Sequence, residues 1–129
     1  MKKFGLLLSL LVVATMMLAA CGGGGNSEAT ATLEPVPADF AGKTNPLGAD
    51  AATEGAKVFQ VNCEPCHGPQ GHGDGPAGAA RELQTRASDD YLFWRVNTGK
   101  PGTSMAPWAG ILTEEQIWQA IAFVRTLKP

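Results

Sequence analysis

Cys63-Glu64-Pro65-Cys66-His67 has the C-x-x-C-H spacing that is typical of covalent attachment of one c-type haem. The two cysteines lie about one helical turn apart, so each thiol can add to one of two neighbouring vinyl groups of the porphyrin. The histidine that follows directly then lies beneath the iron and supplies an axial nitrogen. The pentapeptide therefore predicts one haem c, attached to Cys63 and Cys66 and ligated by His67.

Two other kinds of site also use paired cysteines. A zinc site would need two further ligands, whereas the chain offers one more histidine, His72, and no second cysteine pair. A thioredoxin-like pair is expected within a βαβ unit, which a chain so often interrupted by glycine and proline does not favour. The histidine directly after Cys66 separates the haem motif from both alternatives.

Residues 1–20 are typical of a bacterial signal peptide, because two lysines precede an almost unbroken apolar stretch. Leu18-Ala19-Ala20-Cys21 resembles the lipobox of bacterial lipoproteins, which implies cleavage before Cys21 and a lipid on its thiol. An uncleaved membrane helix and an ordinary secretory signal are the other two interpretations. All three place the rest of the chain outside the cytoplasm.

The remaining chain divides into three segments by composition. Residues 21–37 begin with four glycines after Cys21 and predict a lipid-anchored flexible tether. Residues 38–49 contain Phe40 and Asn45-Pro46-Leu47, which predict an arm that packs on the domain surface. The haem domain is expected over 50–129.

The charge balance is acidic. The whole chain has 10 basic and 12 acidic residues, so loss of Lys2 and Lys3 with the signal leaves eight basic residues and a net charge of −4. Such a chain is not expected to bind nucleic acid, and it favours a partner with a basic docking surface. The Gly-rich stretch 68–78 is not followed by Gly-Lys-Ser, so nucleotide binding is not predicted either.

Hydrophobic spacing and capping residues predict three helices and no strands. Gly55, Phe59 and Cys63 are four apart and share one face of a helix that leads into the motif. Ser88 or Asp89 caps the start of a second helix that Gly99 ends. The third begins with the capping box Thr113–Gln116 and extends to about Leu127, with an apolar stripe of Ile117, Ala120, Ile121, Val124 and Leu127 and with Phe123 beside it.

Met105 is the candidate for the second axial ligand. The other three methionines lie in the signal, and Met105 falls on a loop rich in glycine and proline, 38 residues after His67. A thioether there is either an iron ligand or a filler of the core. His72 is the rival ligand, but it lies five residues from His67 in a tight loop and is expected on the surface.

Three further residues are candidates for the haem pocket. The carbonyl of Pro76 is a candidate acceptor for the second ring N–H of His67, since metal-bound histidines usually donate that hydrogen bond. Trp94 and Arg95 either belong to the core or donate a hydrogen bond to a haem propionate.

These motifs in this order resemble class I cytochrome c, over about residues 50–128. The resemblance implies an all-α fold of small helices wrapped around one covalently attached haem. It also implies thioethers at Cys63 and Cys66, axial ligands His67 and Met105, and Phe123 as the aromatic of the last helix. The function expected from it is single-electron transfer between redox partner proteins in an extracytoplasmic respiratory or photosynthetic chain, with no catalysis of its own.

Two further hypotheses concern the setting of this haem. Several short stretches, among them Asp90–Arg95 and Met105–Trp108, are similar to the lipoprotein mono-haem subunit of bacterial alternative complex III, which implies a fixed place in a quinol-oxidising membrane complex. The chain departs from that pattern in the alanine between Met105 and Pro107 and in a short 83–88 stretch. A small haem peroxidase or gas sensor is the hypothesis from another class, and it needs an open sixth site.

Overall fold

The computed structural model describes residues 33–48, 50–75 and 87–127, all within the compact unit Leu33–Pro129. These residues contain four α-helices, α1 (Ala51–Asn62), α2 (Glu64–His67), α3 (Asp89–Thr98) and α4 (Glu114–Val124). They contain no strand, only an isolated bridge between Ala109 and Leu112. The predicted all-α class is confirmed. A helix with the length and apolar character needed to cross a bilayer is not found in the described part of the chain.

Helices α1 and α4 cross at a point where α1 has no side chain. Gly55 is buried, and a Cβ built on it would lie 1.9 Å from the carbonyl oxygen of Gln119 and 3.0 Å from Cβ of Phe123. One turn later the rings of Phe59 and Phe123 meet with their centroids 5.2 Å apart. Ala120, the next residue of α4, is small and buried, but the backbone of Gln119 makes the closest contact with Gly55.

A stacked aromatic pair joins α3 to α4. The rings of Phe93 and Trp118 are nearly parallel, at 10°, with centroids 4.1 Å apart. Ile117 and Ile121 complete this buried cluster, and the partly buried side chains against it are Phe40, Leu47, Leu92, Val96 and Leu112. Trp118 lies outside the stripe drawn from the sequence. It is buried because α3 packs beside that stripe and widens the covered face of α4.

The predicted helix ends are mostly correct. Ser88 and Gly99 flank α3, and the capping box of α4 has both of its bonds, Thr113 N–H to Gln116 at 2.9 Å and Gln116 N–H to Thr113 at 3.2 Å. The expected extension of α4 to about Leu127 is wrong, since the helix ends at Val124. The N–H and hydroxyl of Thr126 both donate to the carbonyl of Phe123, which replaces the α-helical pattern by a turn.

Residues 33–48 lie on α3 and α4. The side-chain amide of Asn45 donates to the carbonyl of Trp118 at 2.8 Å, and its backbone N–H donates to Asp89 at 3.1 Å. The N–H of Gly42 donates to the carboxylate of Asp90 at 2.8 Å. The rings of Phe40 and Phe93 lie 6.1 Å apart. This segment therefore covers one edge of the aromatic cluster and the first turn of α3.

Hydrogen bonds lower the pKa of Asp90. The hydroxyl of Ser88 has the largest effect, and the backbone N–H groups of Gly42 and Tyr91 add to it. A carboxyl with a lowered folded-state pKa stabilises the fold above its unfolded pKa, and this stabilisation is lost as the pH falls through the folded value. We therefore expect acid to weaken the hydrogen bonding between residues 33–48 and the Asp90 carboxylate at the start of α3.

The first prediction concerns the helix crossing. In Gly55→Ala the new Cβ overlaps the backbone of Gln119, which cannot rotate away as a side chain would, so we expect the free energy of unfolding to fall by about 1–3 kcal/mol. Gly48→Ala is the matched control, because nothing lies within 4 Å of a Cβ there. Urea unfolding of both haem-loaded variants measures the difference. A Gly55→Ala protein as stable as the wild type would contradict the crossing.

The second prediction concerns acid. Asp90→Asn leaves no carboxylate at this position to take up a proton, so its urea midpoint should fall less than that of the wild type between pH 6 and pH 3, a range that spans the ordinary carboxyl pKa of 3.8. Asp39→Asn removes one exposed charge from the same segment and controls for net charge. Equal acid sensitivity in the wild type and Asp90→Asn would show that this carboxylate does not hold the segment.

Candidate functional site

Cys63 and Cys66 lie at the junction of α1 and α2. Cys63 is the residue between α1 and α2 and caps both helices. Its N–H donates to the carbonyl of Phe59 at 2.8 Å, and its carbonyl accepts the N–H of His67 at 2.8 Å. Both cysteines are free thiols; Cys63 is half-buried and Cys66 is exposed. His67 closes α2 and is half-buried. The two thiols and the imidazole are thus presented from a single turn.

Burial shifts the pKa values of Cys63 and His67 in opposite directions. Burial, with a smaller contribution from Cys66, raises the pKa of Cys63 to about 11. Redox-active pairs depend on a lowered thiol pKa, so the thioredoxin-like alternative is disfavoured. Burial also lowers the pKa of His67, which keeps the imidazole neutral and leaves a nitrogen lone pair for a metal.

The loop after His67 folds back onto this turn. The N–H of Gly73 donates to the carbonyl of His67 at 3.1 Å, and Gly68 is buried with a φ of +78°. A Cβ on Gly75 would lie 1.9 Å from the carbonyl oxygen of Cys66, so only bare backbone fits there. His72, expected on the surface, is half-buried because the loop turns so tightly. Pro76 lies outside the described residues.

Met105 lies on the loop between α3 and α4 and is half-buried. Its carbonyl accepts the N–H of Lys100 at 3.0 Å, and its N–H donates to the hydroxyl of Thr103 at 3.2 Å. The next residues return to α3, where the N–H of Trp108 donates to the carbonyl of Val96 at 3.0 Å. The backbone of Met105 is therefore fixed to the end of α3.

The Arg95 side chain is buried, and its charged group is paired with a residue of the segment 33–48. Its guanidinium lies 3.7 Å from the ring centroid of Trp94 and forms an ion pair with Glu34. Its Nε–H also donates to the hydroxyl of Tyr91 at 3.4 Å. Glu34 balances a charge that would otherwise be costly to bury. Trp94 is half-buried beside it.

The candidate residues fall into two groups, each joined to α4. Cys63, Cys66 and His67 follow α1, whereas Trp94, Arg95 and Met105 belong to α3 and the loop after it. Both α1 and α3 pack against α4. The sequence marks Gly99 only as a helix stop and does not predict that Gly99, Lys100 and Thr103 fix the backbone of Met105. Nothing in the local sequence shows that the loop returns to that stop.

The donor set fits haem. In the parts of the chain that the structure describes, no three His, Cys, Asp or Glu side chains are grouped to hold a metal ion by themselves. Two thiols suit covalent attachment to a porphyrin, and one imidazole suits an iron that brings its own four porphyrin nitrogens. At Gly75 the loop packs backbone to backbone against Cys66, which fixes the loop beside the cysteine and histidine turn.

Comparison with known proteins agrees with this donor set. Residues 50–124 match the family described as cytochrome c oxidase, cbb3-type, subunit III. A cytochrome c6 of Thermosynechococcus vestitus is 39% identical over 85 residues, which cover 60% of this chain and 70% of that protein. The cbb3-type cytochrome c oxidase subunit FixP of Rhizobium etli is 33% identical over 108 residues, which cover 74% of this chain. The match spans only 35% of FixP. No solved structure matches the chain.

Proposed function

The chain belongs to the cytochrome c family, as an electron-carrying protein with covalently bound haem c, and from this premise we propose a membrane-tethered carrier of single electrons outside the cytoplasm. The observation that supports it most strongly is the α1–α2 junction, which presents two free thiols and a neutral imidazole from one turn inside the matched region 50–124. In this proposal the protein exchanges electrons with redox partners and performs no catalysis of its own.

Each of the proposed contacts to haem has a separate physical basis. Cys63 and Cys66 would form the thioethers, and His67 would supply the first axial nitrogen. Met105 would supply the second axial ligand through its soft thioether sulfur, which favours the reduced iron and raises the reduction potential. Haem, when bound, supplies a one-electron iron couple. The chain supplies ligation, burial and a fixed geometry.

Two filled axial positions favour electron transfer over catalysis. A peroxidase or a gas sensor needs an open coordination site for its substrate. Met105 is anchored through both its N–H and its carbonyl, so its backbone has little freedom to swing away. The proposal of a closed site rests on this anchoring.

Pro76, Trp94 and Arg95 remain proposals for the haem surroundings. Pro76 keeps the role of carbonyl acceptor for the second ring N–H of His67. The guanidinium of Arg95 is engaged by Glu34, so a propionate contact would have to use its remaining N–H groups or the indole N–H of Trp94.

A fixed subunit of a membrane oxidoreductase complex is the second candidate. The family description names an oxidase subunit, and FixP is itself described as one. A place in a quinol-oxidising complex is another form of the same candidate, and it rests on the resemblance of the α3 and Met105 stretches. In either complex the haem domain would be held by protein contacts as well as by lipid.

Met105→Ala tests the closed site. We expect loss of the methionine-to-iron charge-transfer band in the oxidised spectrum, binding of CO by the reduced protein, and a fall in reduction potential on the order of 0.1 V, within the roughly 0.8 V that axial ligands span. Ile111→Ala is the control, since it shortens another apolar side chain of the same connection that is 67% exposed. A wild-type protein that already binds CO would support the peroxidase or sensor.

The lipid anchor at Cys21 is tested by exchanging residues 1–21 for a cleavable secretory signal. A free carrier tethered by lipid should move from the membrane to the soluble fraction, followed by haem staining of gels, and mass spectrometry of the wild type should show acyl chains on Cys21. A fixed subunit should remain with the membranes and co-purify with its complex. An unmodified Cys21 in the wild type would remove the anchor from the proposal.

A further inference from the structure

Gly99 lies where the chain leaves α3, and the backbone around Met105 packs directly on it. Gly99 is buried and has a φ of +66°. A Cβ there would lie 2.5 Å from the carbonyl oxygen of Met105, 2.7 Å from the carbonyl carbon of Ala106 and 2.8 Å from the nitrogen of Pro107. Three successive residues of the loop thus occupy the space that any side chain at position 99 would need.

The loop closes on itself between Gly99 and Met105. Lys100 donates its N–H to the carbonyl of Met105 at 3.0 Å, and it accepts the hydroxyl hydrogen of Thr103 at 2.8 Å and the N–H of Thr103 at 3.1 Å. The hydroxyl oxygen of Thr103 accepts the N–H of Met105 at 3.2 Å. Both backbone polar groups of Met105 are therefore used to hold its position.

The residues after Met105 are hydrogen-bonded to the C-terminal end of α3. The N–H groups of Trp108 and Ala109 donate to the carbonyls of Val96 and Asn97 at 3.0 and 3.2 Å. These carbonyls belong to the last turn of α3, which has no intrahelical donors left for them. The backbone on both sides of Met105 is consequently joined to the C-terminal end of one helix.

We propose that Gly99 is a positioning residue for the Met105 ligand, because the absence of a side chain there allows the ligand loop to close onto α3. This inference rests on the proposed function, in which Met105 binds the haem iron. A ligand must be held within about 0.5 Å of its productive position, and a Cβ at position 99 demands a larger displacement of backbone atoms that have no rotamer to change. A role as a simple helix stop would not require this crowding.

Gly99→Ala is compared with Gly102→Ala on the same loop. Both glycines have a positive φ, +66° and +78°, so both substitutions strain the backbone, and Gly99 also has a ψ of −165°, a combination that essentially only glycine adopts. Nothing lies within 4 Å of a Cβ on Gly102, whereas the Met105 backbone fills that space at Gly99. Gly102→Ala therefore controls for a positive φ on this loop, and Thr103→Val tests the hold on Met105 without a change at any positive φ.

The test measures the methionine-to-iron charge-transfer band and CO binding in the haem-loaded proteins. We expect Gly99→Ala to lose the band and bind CO, and Gly102→Ala to keep the band and exclude CO. The proposal is overturned if Gly99→Ala keeps the band, or if both variants lose it equally. A wild-type protein without the band, or a Met105→Ala protein that retains it, would instead refute Met105 as the ligand and so the proposed function.

Thr103→Val provides the test if Gly99→Ala does not accumulate as holoprotein. The change keeps the side-chain shape and removes the acceptor for the N–H of Met105. We expect the band to disappear on heating at a lower temperature than the helical circular dichroism, because the loop would release before the helices unfold. Loss of both signals at one temperature would show that this hydrogen bond does not hold the ligand, against the proposal.

Discussion

The contact between Gly55 and the backbone of Gln119 is the constraint on which the rest of the domain depends. It brings α1 and α4 so close that no side chain separates them, and the Phe59–Phe123 ring pair extends the contact. Helix α1 leads directly into the cysteine and histidine turn, and α4 packs through Trp118 against α3, which ends at the Met105 loop. The crossing thus sets the relative position of the two segments that contain the proposed axial ligands, His67 and Met105.

Close backbone approach recurs at each step of this arrangement. Gly55 fixes the crossing, Gly75 brings its loop against the histidine turn, and Gly99 receives the Met105 loop. Within the residues that the structure describes, eight buried apolar residues make a small core, and a small core alone supplies limited stability. Haem adds apolar surface to such a domain, while contacts between backbones limit how far the surrounding loops can drift.

Residues 33–48 link the N-terminal region to the same aromatic cluster. Asn45 bonds to the carbonyl of Trp118, Phe40 lies by Phe93, and Glu34 balances the buried charge of Arg95. Any force transmitted along the chain from the N-terminal side therefore reaches α3 and α4 before it reaches the cysteine and histidine turn.

Local sequence predicted three of the four described helices, most of their ends and a haem c motif, because these depend on residues within a few positions of one another. Ser88, Gly99 and the Thr113–Gln116 box have the predicted positions. Three contacts are visible only in the folded domain. Trp118 stacks on Phe93, Glu34 pairs with Arg95, and the backbone of Met105 packs against Gly99. These contacts depend on where loops return after several residues of irregular backbone, and no local periodicity or capping preference encodes that path.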